Sequence, residues 1–330
     1  MAIQTQTYIM LQKNGQRANY AQIAKFEDEA LVFFDIWPLS DDIENLDFAA
    51  PPAAIGSVYK ARILQIDPKT NLCFLDLGKF NAVMRLKPKQ NYTEGQYILA
   101  EIISEAFGDK KPRVRFAGKA KPATNNAPLK NTAGLFRAAP NLAQYCIHLT
   151  QLDGSKITCD DFGFAAALKN QAQADNAEID LEPVEFNKNS GLNLFELYGF
   201  ADAIQSLQSA TIGLQNGGNI VIEQNTAMTV IDVNSGLYKG DNHLKMVEDI
   251  NHAAADKIFE QLALRQIGGL VVIDFLKFER KTQKLKFTEY LANLAKKYNI
   301  EMGSYTRFGL LELKIKRAGK NLNQKLADMT

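Results

Sequence analysis

Histidine and cysteine are scarce in this chain of 330 residues, with three of each. Cys73, Cys146 and Cys159 are odd in number and no two form a Cys-x-x-Cys pair. That argues against a disulfide framework and against a cysteine zinc site, and leaves three reduced, small hydrophobes. His148, His243 and His252 leave little room for chemistry that needs two imidazoles. His252 falls in a helical pattern and reads as a helix-surface or boundary residue. No stretch reaches the ~18 apolar residues of a membrane span. Residues 1–13 lack the basic start and apolar core of a secretory signal. The expectation is a cytoplasmic protein of about two domains, or three small ones.

Net charge is also nearly absent. Thirty-eight Lys and Arg stand against thirty-seven Asp and Glu, a formal charge of +1. The balance comes from segregation. Residues 27–47 hold eight acids and no base, 105–137 hold eight bases and two acids, and 277–330 hold thirteen bases and five acids. A basic stretch suits either contact with a polyanion or a solvated face, and a near-neutral total does not decide between them.

The hydrophobic pattern divides the chain. Strand-like runs lie at 8–11 and 30–36, and the Pro51-Pro52 pair in 47–52 reads as a linker. Strands are expected at 58–66, 72–77, 97–103 and 113–116, with a turn at 67–71, which suggests a small barrel or meander. Tyr59, Lys60, Arg62, Phe74 and Arg85 interleave aromatic and basic side chains in it. That pattern suits base stacking with phosphate neutralisation, and equally an ordinary half-buried barrel. Residues 119–130 read as loop, 162–173 and 194–207 as helices, and 215–219 as a tight turn before a strand at 220–223.

The last third is the most informative. A buried-type strand at 228–233 leads through a loop with Gly236 and Gly240 to a helix over about 244–265. Its apolar residues Leu244, Val247, Ile250, Ala254, Ile258 and Leu262 share one face. Gly268 and Gly269 are expected to end it, before a second buried strand at 270–275. This is a β-α-β unit with parallel strands. Asp232 and Asp274 occupy matching positions near the carboxyl ends of the two strands, the edge where open α/β sheets place ligands. Asn234 follows on the same face. Two carboxylates and an amide form a hard oxygen site suited to Mg²⁺, although a lone aspartate at a strand end often just bonds turn amides.

The stretches AMTVIDVNSG (227–236), QLALRQIGG (261–269), LVVIDF (270–275) and TRFGLLE (306–312) resemble the catalytic core of the ribonuclease E/G family. The likeness extends colinearly back through GGNIVI (217–222) and LFELY (194–198). GSVYKARI (56–63) and CFLDLG (73–78) are similar to the family's OB-type RNA-binding barrel.

The resemblance implies an α/β (α+β) multi-subdomain fold. Residues 1–54 and 154–206 form a ribonuclease-H-like subdomain. Between them come an inserted barrel at 55–117 and a truncated 5′-sensor-like segment at 118–153. A DNase-I-like catalytic subdomain occupies 207–330. The implied activity is Mg²⁺-dependent internal cleavage of single-stranded, A/U-rich RNA, with Mn²⁺ as a substitute and a 5′-phosphate left on the downstream product. Asp232 and Asp274 would hold the metal, and Asn234 would bond the metal's water shell or one of the aspartates. Tyr59, Lys60, Phe74, Lys110, Arg137 and Arg307 are the expected RNA contacts.

Some positions depart from the family pattern. Lys277 stands where an acid usually follows the second aspartate by three residues. A second stacking aromatic has no match near Val83 or Met84. In GLFRAA (134–139) Arg137 matches the sensor arginine, while Ala138 replaces its hydroxyl partner. No counterpart of the family's cysteine-rich zinc link is present, so no zinc and no zinc-linked oligomer are expected, although oligomerisation by other means stays open. The rival readings are a non-catalytic RNA-binding protein on the same fold, and an adaptor that docks through the acidic 27–47 segment.

Overall fold

A computed structural model of the chain describes residues 5–12, 19–39, 48–51, 53–87, 91–106, 110–119, 132–184, 192–238, 242–317 and 319–328. The acids at 41–47, Pro52 of the expected linker, the loop at 120–130 and Gly240 lie outside the described residues.

Three sheets with separate cores make up the fold. The first begins with β1 (Thr5–Gln12), β2 (Tyr20–Glu27) and β3 (Ala30–Pro38), an antiparallel meander. The chain then leaves for the second sheet, composed of β4 (Val58–Asp67), β5 (Leu72–Asp76), β6 (Asn81–Arg85), β7 (Tyr97–Ser104), β8 (Arg113–Lys119) and β9 (Gly134–Arg137). β4, β5, β6, β8 and β7 close on one another as an OB-like five-stranded barrel, in which β6–β8 is the one parallel pair. β9 extends the first half of β4, on the same side as β5. Inward residues such as Ala61, Ile63, Cys73, Leu75, Met84, Ile98 and Ile102 fill the barrel.

After the barrel, α1 (Leu142–Gln151), β10 (Lys156–Cys159), α2 (Phe162–Ala174) and β11 (Leu181–Pro183) return to the first sheet. β10 pairs with β1 in parallel, giving the order β11-β10-β1-β2-β3. This sheet is buried on both faces. One face, with Ile9, Ile23 and Ile157, lies under Cys146 and Ile147 of α1 and Phe164 and Leu168 of α2. The other, with Met10, Phe26 and Phe34, meets α3 (Leu194–Leu197) and α4 (Ala201–Ser206). The single helix expected over 194–207 is therefore two short ones. Gly199, at φ 76°, takes a left-handed turn between them that a helix cannot contain.

The third sheet comprises β12 (Thr211–Gly213), β13 (Asn219–Gln224), β14 (Met228–Asn234), β15 (Gly269–Asp274), β16 (Glu301–Tyr305) and β17 (Leu311–Ile315), in the order β12-β13-β14-β15-β17-β16. α5 (His243–Leu264) connects β14 to β15, and α6 (Lys281–Lys297) connects β15 to β16. Both helices cover one face, where Ile231, Val233, Val271 and Ile273 meet Ile250, Ile258, Phe259, Phe287 and Leu291. The alternate residues Val230, Asp232, Leu270 and Asp274 point away from them and are exposed. α5 ends earlier than its glycines suggest. Arg265 caps it and Gln266, at φ 54°, makes the left-handed exit. α7 (Leu322–Ala327) closes the chain.

A buried polar knot joins the first and third units. Asp35 on β3 takes the Lys325 ammonium of α7 and hydrogen bonds from Gln266 Nε2 (2.9 Å) and the Tyr145 hydroxyl (3.1 Å). Gln266 also donates to the Phe34 carbonyl at 3.1 Å and accepts from Lys325 at 2.8 Å. Beside it the buried Arg265 guanidinium donates to Gln261 Oε1 and to the carbonyls of Ser206 and Ser209. Burial lowers its pKa to about 10. Removing one member of a buried charge pair leaves the other uncompensated. Asp35→Ala should cost about 3–5 kcal/mol, read as the shift in a urea unfolding curve.

Three phenols hold their protons unusually tightly. Burial first, then Tyr198 and Glu182, raise Tyr8 to about 12. Burial and the Asp256 bond raise Tyr290 to about 12. Burial and Asp35 push Tyr145 far up. In the unfolded chain each ionises near pH ~10. The stability they contribute is intact below that pH and is lost as pH rises toward 12, because the unfolded state then binds fewer protons. Urea midpoints should therefore begin to fall above pH ~8.5, where the buried thiols of Cys73 and Cys146, also raised by burial, ionise in the unfolded chain, and should fall more steeply beyond pH ~10.

Candidate active site

β14 and β15 run in parallel with Asp232 directly opposite Asp274. The β-α-β crossover through α5 brings two aspartates from residues far apart in the chain onto adjacent parallel strands, whose backbones lie ~4.8 Å apart. Both are exposed on the face that α5 and α6 leave uncovered. Asn234 donates from Nδ2 to Asp232 Oδ2 at 3.0 Å, and its other partner is Asn219 Oδ1 at 3.4 Å. These bonds fix one carboxylate oxygen of Asp232. Among the described residues no Lys or Arg forms an ion pair with either aspartate.

The loops at this edge are held from behind. Asn251 of α5 is fully buried and points both ends of its amide at Leu276, two residues beyond Asp274. Its Nδ2 donates to the Leu276 carbonyl at 2.8 Å, and its Oδ1 accepts from the Leu276 amide at 3.0 Å. A polar residue on an otherwise apolar helix face was the sequence signal for it. Beyond β14, the Leu237 amide bonds the Gly217 carbonyl at 2.9 Å. A Cβ on Gly236 would stand 2.4 Å from that same carbonyl oxygen, so the loop can approach only as glycine.

β17 is antiparallel to β15, with Leu311 opposite Ile273. The 306–310 turn between β16 and β17 therefore emerges at the same edge as the two aspartates. Arg307 and Phe308 form its tip, both exposed, Phe308 at 90%. Phe308 was not singled out from the sequence. Behind the turn, Lys284 of α6 sits 4.1 Å from the centroid of the Tyr305 ring. Asp232, Asn234, Asp274 and Arg307 are thus brought to one edge, and the exposed Lys277 joins them in the segment after β15.

The remaining expected contacts belong to the barrel. Phe74 points outward, opposite Gln65 and Val83, with Lys111 Nζ 5.8 Å from its ring centroid and Arg113 beside Val83. Lys110 is exposed nearby in sequence. Lys60 lies 4.9 Å over the Tyr97 ring. Arg115 is engaged by Glu101 through two bonds of 2.8 and 3.0 Å. Tyr59 differs from expectation. Its ring is 5% exposed in the barrel core, edge-on to Phe80 at 5.3 Å, so it offers no face to a base. Arg137 is exposed on β9 and lines a cleft of about 550 Å³ with Gln144, His148 and Asp175.

The donor set decides which ions fit the edge. Among the described residues no three His, Cys, Asp or Glu side chains form a ligand group. What is present is two adjacent carboxylates and an amide oxygen. Such a set suits Mg²⁺, which is bound through one or two carboxylates and keeps several waters, and it does not suit zinc. Among the described residues no helix is long and apolar enough to cross a membrane.

Comparison with known proteins identifies the family. The model of the ribonuclease E/G family matches residues 118–318. Ribonuclease G of Haemophilus influenzae is 31% identical over 138 residues, covering 41% of this chain and 28% of that protein. Ribonuclease E of Synechocystis sp. is 35% identical over 134 residues, 40% of this chain and 20% of its own. The chloroplastic ribonuclease E/G-like protein of Arabidopsis thaliana is 33% identical over 134 residues, 39% of this chain and 13% of its own. The aligned part is thus less than a third of the length of each of these relatives. With most of the chain matched by the family model, including both aspartate strands, the chain belongs to the ribonuclease E/G family.

Proposed function

We propose that the protein is a Mg²⁺-dependent endoribonuclease acting on single-stranded, A/U-rich RNA. The observation that carries the reading is the pairing of Asp232 with Asp274 at the carboxyl edge of β14 and β15, with Asn234 bonded to the first. Asp232 and Asp274 would hold Mg²⁺, with Mn²⁺ as the substitute. When bound there, the ion would offset phosphate charge and make a water a competent nucleophile near neutral pH. The chain's own groups do the positioning. Asn234 fixes the Asp232 carboxylate, Asn251 fixes the backbone after Asp274, and Arg307 offers a guanidinium to phosphate. Phe308 offers a ring to a base.

On this reading the first sheet with its helices is the ribonuclease-H-like subdomain of residues 1–54 and 154–206, and 207–330 is the DNase-I-like subdomain. The outer barrel surface around Phe74, Lys110, Lys111 and Lys60 tracks the RNA strand at 55–117. Arg137, in the truncated sensor at 118–153, meets a terminal phosphate in its cleft. A cytoplasmic setting goes with the same reading.

Lys277 and the presence of two carboxylates rather than three favour the second reading, an RNA-binding protein that does not cleave. The same assay separates the two. With Mg²⁺ and A/U-rich single-stranded RNA, wild type should cleave, and Asp232→Asn or Asp274→Asn should each slow cleavage about a thousandfold with affinity retained. Wild-type binding without cleavage in Mg²⁺ or Mn²⁺ would select the second reading, and equal rates in wild type and both variants would sink the site assignment.

Despite the formal charge of +1, RNA affinity should fall roughly a hundredfold or more from about 50 to about 200 mM salt, measured by fluorescence anisotropy. A flat response would count against the basic barrel and C-terminal third as the RNA face.

A further inference from the structure

One cleft of about 740 Å³ takes no part in the proposed RNA path. It opens on the first sheet, between β1, the end of β2 and the α3–α4 connection, and it is within the volume range of ligand pockets. Its floor and wall are aromatic. Phe26 stacks on Phe200 at 3.7 Å, and Tyr8 meets Phe200 at 5.1 Å and Tyr198 at 4.8 Å. Tyr198 and Phe200 are nearly parallel, 11° apart in plane, and Tyr198 is 37% exposed. Gly199 between them carries no side chain to cover the opening, and its φ of 76° turns both rings the same way.

The rim has one sign. Asp28 and Glu29, the exposed turn between β2 and β3, line the cleft, and among the described residues no Lys or Arg does. Beside Gln6 in register stands Lys156, and Glu182 holds its ammonium at 2.7 Å. Burial first, then Tyr198 and Glu182, raise the Tyr8 phenol. Such a rim repels a phosphate backbone. Aromatic faces with carboxylates at their edge attract a cation, and a planar guanidinium can stack on a ring while its N–H groups reach the acids.

We propose that this cleft binds an arginine side chain presented by a basic segment of a partner protein, with Tyr198 and Phe200 stacking on the guanidinium and Glu29 pairing with it. The two acids at its rim belong to the acid-rich 27–47 stretch, which the RNA-cleavage reading leaves unused, and the site is independent of Asp232 and Asp274. Arginine is favoured over lysine because a compact ammonium would forfeit the stacking on two near-parallel rings.

The test is isothermal titration of the full chain with the blocked peptide acetyl-Gly-Arg-Gly-amide. Saturable binding is expected. It should weaken about tenfold when citrulline, the neutral isostere, replaces arginine, about tenfold in Tyr198→Ala, and about threefold in Glu29→Gln, whose carboxylate is exposed. Tyr198→Phe, which keeps the ring, should bind as wild type does. Oligouridine should not displace the peptide. Absence of saturable binding, equal binding of the citrulline peptide, or indifference to both Tyr198→Ala and Glu29→Gln would overturn the proposal. Displacement by oligouridine would also overturn it, assigning the cleft to a nucleobase.

Discussion

Much of this structure depends on the end of one helix. At Arg265 and Gln266 the chain leaves α5, turns left-handed and enters β15, the strand that carries Asp274. The same two residues hold the carbonyls of Ser206 and Ser209, the edge strand β3 and the Lys325–Asp35 pair. The Arg265 carbonyl in turn accepts from Leu322, at the start of α7. The geometry of the aspartate pair is thus continuous with the contact between the first and third sheets. Buried polar knots of this kind cost desolvation and add little net stability over an apolar contact, but they tolerate few alternative arrangements. That suits a junction that must hold one orientation.

The four cores leave the candidate sites at their margins. The barrel and the third sheet each bury one set of alternate residues and turn the other outward. Phe74 and Lys111 are on the barrel's outer surface, and Asp232 and Asp274 on the uncovered face of the third sheet. The first sheet, buried on both faces, has no such surface, and its exposed chemistry is confined to turns and loop ends, where the aromatic cleft is found.

The aspartate pair was legible in the sequence because the pattern there is unambiguous. Two short apolar runs flank 22 helical residues, and a parallel crossover is all but forced by that arrangement. β2 was missed because Tyr20–Glu27 mixes Ala, Gln and Lys and gains its strand identity from pairing on both sides with β1 and β3. α1 was not singled out either, although both of its signals are local: an Asn141–Gln144 capping box and Leu142, Ala143, Cys146 and Ile147 on one face. Tyr59 was misplaced although parity could have placed it. It shares its side of β4 with the buried Ala61 and Ile63, whereas Lys60 and Arg62 alternate outward. Phe308 and the Arg265 contacts depend on which loops and helix ends meet, and no local period encodes that.

The first sheet is interrupted in sequence but continuous in space: Gln6 of β1 stands beside Lys156 of β10, and everything from β4 to β9 is made between them. On a ribosome the order of manufacture then becomes an order of assembly. The strands of the barrel are all available by residue 137 and pair only among themselves, while β1 to β3 still lack the two strands and the helix pair that bury them. A host sheet left so exposed presents apolar surface and an unpaired edge, and a completed barrel would shorten the effective distance that β10 must cross to reach β1. The insertion therefore serves as a folded tether during synthesis.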